Sequence, residues 1–194
     1  MLIEKKKKKK TAGSLSLIFN EDAGLPVEKI YSAELKPLKE NGNKILEVSR
    51  LVISHEYRNV KEVLKLLVNY MLIYSYHVKS YSSTVIQVNP RHKSYYMSLL
   101  KYDEIGPEKK CPSVQNAPAV LLHLPLERYQ LEISRSVSIS DQNKKERSLY
   151  PQFLNPEQEK LVAYYLKNQF KPMTTKEKIY FGFSESGKSK TVCV

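Results

Sequence analysis

The sequence predicts an α/β domain, and three observations predict it. Residues 45–53 form an apolar, β-branched run that reads as a buried strand. Residues 59–80 repeat Val60, Val63, Leu64, Leu67, Met71 and Tyr74 at helical spacing. A second strand-then-helix pair follows at 82–88 and 90–100. The 194 residues suit one domain with an appendage, and 41% hydrophobic residues suffice for a core. No apolar run reaches the roughly 18 residues that crossing a bilayer requires. The basic N-terminus has no apolar stretch behind it and does not read as a secretory signal. Cys111 and Cys193 lie far apart and match no metal spacing, so both are expected to be reduced thiols in a cytoplasm. His55, His77, His92 and His123 form no ligand pattern, and no metal is expected.

In chain order, residues 5–10 are consecutive lysines, expected as a disordered or solvated block. Residues 13–19 alternate Leu15, Leu17 and Phe19 on one face, a strand pattern. Residues 20–26 read as a loop. Residues 27–41 are mixed, and Pro37 argues for short helical turns rather than one helix. Asn41-Gly42-Asn43 is a turn. The helix at 59–80 has Asn59 as a candidate cap, with Glu62 as its capping-box partner. Residues 117–124 read as a closing strand, and Ser-, Asp- and Lys-rich 134–145 as a linker. Residues 156–170 read as a helix with Leu161, Tyr164, Tyr165 and Leu166 apolar. Residues 173–183 carry a weaker pattern, and polar 184–194 are expected to fray. There is no internal repeat.

The run Leu46-Glu47-Val48-Ser49-Arg50-Leu51-Val52-Ile53 is the most informative stretch. It places a carboxylate and a guanidinium inside an apolar strand, where an unpaired charge is costly. Regular alternation puts Glu47 and Arg50 on opposite faces, so they could pair only through a bulge or around an edge. Two readings stay open: an ion pair at a sheet edge, or a general base and its orienting partner in a cleft.

Five phrases in order extend this: Ala12-Gly13-Ser14-Leu15-Ser16-Leu17, Gly24-Leu25-Pro26-Val27, the Glu47/Arg50 strand, residues 89–102 beginning Asn89-Pro90-Arg91, and Asn116-Ala117-Pro118-Ala119-Val120-Leu121. Together they resemble the bacterial long-chain N-acyl amino acid synthases, the N-acyl tyrosine synthases among them. These lie within the N-acetyltransferase-like (GNAT) superfamily, and the acyl-homoserine-lactone synthases are more distantly similar. The resemblance covers about residues 13–124, with weaker echoes to 183. It implies a mostly antiparallel central sheet with flanking helices and a V-shaped cleft between two splayed strands. It also implies a division into an acyltransferase-like core at 1–133 and a linker with a helical C-terminal extension at 134–194. Such domains carry a strand and helix upstream of the segment at Gly13, so the chain reads as short at its N-terminus.

The implied reaction is aminolysis of an acyl thioester by an amino acid. Glu47 would take the amine proton, and Arg50 would orient Glu47 or grip the amino-acid carboxylate. Backbone N–H groups along Leu51, Val52 and Ile53 would stabilise the tetrahedral oxyanion. Arg58, Asn89 and Tyr96 would hold the donor arm. Acetyl-CoA enzymes place a glycine-rich loop before this helix to cradle pyrophosphate. Here the stretch is Arg58-Asn59-Val60-Lys61-Glu62-Val63, without glycine. That argues against free CoA and for acyl-phosphopantetheine on an acyl carrier protein, with no permanently bound cofactor. Lys101 also stands where a glycine is common before an aromatic, here Tyr102.

The net charge of +12 invites an anionic partner. No nucleic-acid signature accompanies the lysines, so an acidic carrier protein is the expected partner, with no nucleic acid and no integral membrane contact. A lysine-rich background composition is the bland alternative. Residues 182–189, Gly-Phe-Ser-Glu-Ser-Gly-Lys-Ser, match a phosphate-binding loop pattern. The residues that follow are too few for the helix that the pattern needs, so nucleotide binding there is not expected. His92 reads as a solvated or capping residue, and the tyrosines other than Tyr96 as packing. Two other functional classes stay open: a noncatalytic binding or adaptor domain of the same fold, and a basic nucleic-acid-associated protein.

Overall fold

The computed structural model describes residues 2–5, 10–20, 24–58, 61–138 and 147–169. Six strands form one sheet: β1 (Leu2–Lys5), β2 (Lys10–Phe19), β3 (Ile45–Ile53), β4 (Ser83–Val88), β5 (Asp103–Cys111) and β6 (Ala117–Pro125). Their order across the sheet is β1-β2-β3-β4-β6-β5. Only β3 and β4 run parallel; every other neighbouring pair is antiparallel. Among the described residues there are five α-helices: α1 (Glu28–Glu40), α2 (Lys61–Ile73), α3 (Pro90–Leu100) and α4 (Leu126–Ser138) lie against the sheet, and α5 (Pro156–Gln169) packs beside α2. This is the mostly antiparallel sheet with accompanying helices that the sequence resemblance implied.

The two sheet faces bury different helices. On one, α2, α3, α4 and the segment around Tyr150 enclose a core built on Leu15, Leu67, Met71, Leu72, Leu122, Leu124 and Tyr129. On the other, α1 alone covers Ile45, Val85 and Leu121 with Val27, Tyr31 and Leu35. Each fully buried side chain of this size contributes roughly 1.5–3 kcal/mol. Close approach is needed at two glycines. A Cβ on Gly13 would lie 2.9 Å from Leu67 Cδ1 on α2, and one on Gly106 would lie 2.8 Å from Leu121 Cβ and from the Tyr31 ring.

Several expectations are corrected. The strand expected from Gly13 begins at Lys10 and pairs with β1, so Lys5 and Lys10 face each other across a hairpin; residues 6–9 lie outside the described set. The segment at 27–41 holds two helical pieces that meet at a kink at Tyr31 (φ −119°, ψ 30°), so it is broken as expected, but the break falls at Tyr31 and the second piece runs through Pro37. Pro37 and Ala33 are both exposed, so water can take the carbonyl that proline leaves without a donor. The expected helix 59–80 is α2 followed by a π-helical turn at Tyr74–Val78. Asn59 lies outside the described residues, and Glu62 pairs with Lys65. Strand β5 was not foreseen.

The expected linker from 134 is helical to Ser138, so the boundary at 133/134 falls inside α4. Leu149 and Tyr150 then join the same core as α2 and α4. In α5 the polarity is inverted: Leu161, Tyr164 and Tyr165 are exposed, whereas Glu159 is fully buried. Glu159 sits among the Tyr129 hydroxyl, the Gln130 amide at 3.3 Å and His77 Nε2 at 3.4 Å. Residues 170–194, with the phosphate-loop pattern and Cys193, lie outside the described residues. Among the described residues, no helix is long and apolar enough to cross a membrane.

Candidate active site

The parallel strands share only three rungs: Ile45 with Ser83, Leu46 with Thr84 and Glu47 with Val85. Beyond these, β3 continues against β2 while β4 continues against β6. The strands therefore part, and a V-shaped gap opens between residues 48–53 and 86–88. Because β3 and β4 run parallel, both leave the sheet at the open end of the V. There β3 leads through the turn His55–Tyr57 to Arg58 and α2, and β4 leads through Asn89 to α3. Arg58 and Arg91, both exposed, follow those two exits.

Glu47 is the last residue of β3 that pairs with β4 and stands at the apex of the V, only 4% exposed. Its Oε2 accepts the Val27 N–H at 2.8 Å. That N–H belongs to the first turn of α1, where backbone donors have no partner within the helix. Burial pushes the Glu47 carboxyl above the ordinary carboxylate range; the Val27 bond opposes the rise and the charge of Glu28 adds to it. An acid held this way is suited to accept a proton nearer neutral pH.

The strand is bulged just past Glu47. Ser14 and Ser16 of β2 oppose Val52 and Ser49, so Leu15 faces two residues, Arg50 and Leu51. Arg50 takes the left-handed conformation, φ 51°. Val48 and Leu51 both pack toward the α2 core, which places Ser49 and Arg50 off that face. The bulge thus cancels the alternation that would have separated Glu47 from Arg50. No ion pair joins them among the described residues; Arg50 is exposed, and the Glu47 partner is a backbone amide twenty residues earlier. The edge-ion-pair expectation and the role of Arg50 in orienting Glu47 are corrected accordingly.

Ser54 N–H donates to Ala12 O at 2.9 Å, and Val52 shares a rung with Ser14. Alternation turns the Ile53 N–H the other way, to the edge that β4 has left. Val52, expected as a donor-side residue, directs its backbone to β2 and exposes 57% of itself to solvent. Leu51 adjoins the bulge and contributes a half-buried apolar side chain.

Asn89 caps α3, its Oδ1 accepting the Arg91 N–H at 3.2 Å. Tyr96, two turns along α3, packs edge-on against Tyr95 and Tyr102. Burial and the neighbouring Tyr95 push its hydroxyl pKa up. Lys101 closes α3 in the left-handed conformation, φ 58°, which is why glycine suits that position. The structure therefore gathers Glu47, Arg50 and Ile53 along one strand and Arg58 with Asn89 at the open end. It sets Tyr96 deeper, against the α3 core. Sequence reasoning missed Val27 and Glu28, which act on Glu47 through the start of α1.

The family model that matches the chain is that of the N-acyl amino acid synthase FeeM, over residues 2–125. Among solved structures, the chain is similar to FeeM, an N-acyl amino acid synthase from uncultured soil microbes. The identity is 28% and the TM-score 0.56, over 62% of this chain and 69% of that one. It is also similar to a spermidine N-acetyltransferase from Vibrio cholerae at 16% identity and a TM-score of 0.46, over 66% of this chain and 64% of that one. The comparison with curated proteins returned no match.

Proposed function

The chain belongs to the N-acyl amino acid synthase FeeM family, and from that premise we propose that it moves a long-chain acyl group from acyl carrier protein to the amine of an amino acid. Tyrosine is the acceptor to test first. The observation that carries the site reading is the buried carboxylate of Glu47 at the point where β3 and β4 part.

The acceptor amine is protonated at neutral pH and must lose a proton to attack. Glu47 takes it, directly or through a water. The amine nitrogen then bonds to the thioester carbon, and the carbonyl oxygen becomes negative. The Ile53 N–H, on the open edge of β3, is the donor nearest in kind to what that oxyanion needs. Collapse breaks the C–S bond, the nitrogen gives up its second proton, and the departing pantetheine thiolate takes a proton from that nitrogen or from Glu47. Arg50, exposed on the same strand and not bound to Glu47, is free to grip the amino-acid carboxylate bidentately. Val48, Leu51, Ile53 and Val88 border the V with half-buried apolar side chains, which suits an acyl chain.

The carrier reading is supported by the absent glycine loop and by Arg58 and Arg91 at the open end of the V, where an acidic carrier would present its arm. The test is mass spectrometry of reactions between the purified protein, a long-chain acyl-carrier thioester and each proteinogenic amino acid. An N-acyl amino acid formed from the carrier thioester, and faster than from acyl-CoA, supports the proposal. Failure to form any amide from either donor overturns it.

A further inference from the structure

Helix α1 reaches the catalytic carboxylate through one backbone bond, and a separate set of contacts holds that bond in place. Gly24 adopts φ 67°, and the chain then turns so that the Glu28 carboxylate accepts the Leu25 N–H at 2.8 Å. The other oxygen of Glu28 lies 2.7 Å from Lys39 Nζ, near the far end of the same helix. A straight helix would separate residues eleven apart by about 16 Å along its axis. The bend at Tyr31 brings them together. Val27 lies between Leu25 and Glu28, inside this brace, and its N–H is the one that Glu47 accepts.

We infer that Glu28 is a positioning residue for Glu47: braced by Lys39, it fixes the start of α1 and holds the Val27 N–H on the catalytic carboxylate. This rests on the reading of Glu47 as the base. The geometry supplies two levers. Glu28 holds the Leu25–Val27 turn, so the Val27 N–H stays aimed at Glu47. Glu28 also places a negative charge beside the same helix start, and a like charge disfavours the ionised form of Glu47. Lys39 compensates part of that charge. Burial favours the neutral form of Glu28, but Lys39 and the Leu25 N–H outweigh it, so Glu28 stays ionised below the pH at which Glu47 gains its proton. The other neighbours of Glu47 across the sheet are Ile18 on β2 and Val85 on β4, neither of which titrates. Arg50 lies three residues along β3, within the bulge and exposed to solvent.

The test uses two substitutions of opposite sign in the full chain. Glu28→Gln keeps an oxygen for the Leu25 N–H and removes the charge. Lys39→Met keeps the charge and removes its compensation. The acid limb of the kcat/KM pH profile should move down in Glu28→Gln and up in Lys39→Met, each by roughly half a unit to one unit, the scale of one partly screened charge. A carboxyl carbon-13 titration of Glu47, assigned with Glu47→Gln, should move in the same two directions without any turnover. Shifts in that titration with an unmoved rate profile would uphold the coupling and remove Glu47 from the role of base. A Glu47 titration unmoved in both variants, or moved the same way in both, overturns the proposal. Equal loss of rate without a shift would mark Glu28 as a fold contact only.

Discussion

Glu47→Gln is expected to slow the enzyme while leaving it at least as stable. The side chain serves two purposes with different demands. As a partner for Val27 N–H it needs only an acceptor oxygen, and glutamine has one. Its shape matches the protonated acid, the form that burial favours in the folded state. The sign of the stability effect follows from linkage. In the unfolded chain the group titrates near 4.5; in the folded chain burial raises it. Between those two values the folded state binds more protons, so stability falls as pH rises through the window. Glutamine does not ionise and avoids that fall. The variant should equal or exceed the parent at pH 7, and the difference should vanish below pH 4. Turnover should drop roughly a hundredfold or more, which is about 2.7 kcal/mol or more of transition-state stabilisation. Glu47→Ala separates the two purposes: it also strips the partner from a buried N–H, at a cost of about 1–3 kcal/mol. Thermal unfolding at pH 4 and 7, with steady-state kinetics, reads all of this. Unchanged turnover in a folded Glu47→Gln would make the residue a helix anchor alone. Marked destabilisation at pH 7 would refute the linkage argument.

Arg50→Gly should raise the melting temperature, because glycine takes φ 51° without the cost of about 1 kcal/mol that arginine bears, while KM for the amino acid rises several-fold. A rise in the donor KM instead would move Arg50 to the thioester side. Gly106→Ala should destabilise by roughly 1–3 kcal/mol, seen as a lower denaturant midpoint, since its Cβ would lie 2.8 Å from two buried groups on different elements. Tyr129→Phe should cost about 1–3 kcal/mol, because Glu159, fully buried, loses its hydroxyl donor. If an acidic carrier docks at Arg58 and Arg91, the on-rate for the carrier thioester should fall with salt, since exposed charges are screened over about 8 Å at physiological ionic strength. A soluble thioester analogue should show little dependence; equal dependence for both donors would refute docking by charge.

What the sequence disclosed was what local pattern controls. The periodicity of β3, α2, β4 and α3 is set by neighbours one to four residues away, and those elements fall close to where the pattern puts them. Glu47 stood out because a charge in an apolar strand is anomalous wherever the strand lies. What stayed hidden depends on distant partners. Strand β5, with Gly106-Pro107 and five charged residues, does not look like a strand; it is tolerated because it forms the sheet edge, where a missing proline N–H costs nothing. In α5 the apolar Leu161, Tyr164 and Tyr165 are exposed, while Glu159 is buried. The opposite face won because Glu159 finds donors on α4 and on the turn after α2, 29 to 82 residues away. The bond from Val27 to Glu47 spans twenty residues, and no spacing rule announces it.

The separation of Glu47 from Arg50 has a chemical consequence. Had the bulge joined them in an ion pair, the nearby cation would have lowered the carboxyl pKa by roughly one to three units. A base weakened that far would take a proton from an ammonium group poorly. It would also occupy the guanidinium proposed to grip the amino-acid carboxylate. By assigning the fixing bond to a backbone N–H, the fold holds the carboxylate in place without a full positive charge beside it. The acid keeps its raised proton affinity, and the arginine remains in solvent. The bulge puts both charges on one side of the strand, and α1 keeps them from neutralising each other. If Glu47 is the base, the start of α1 belongs to the catalytic apparatus as much as β3 does, because the bond that fixes the carboxylate comes from there.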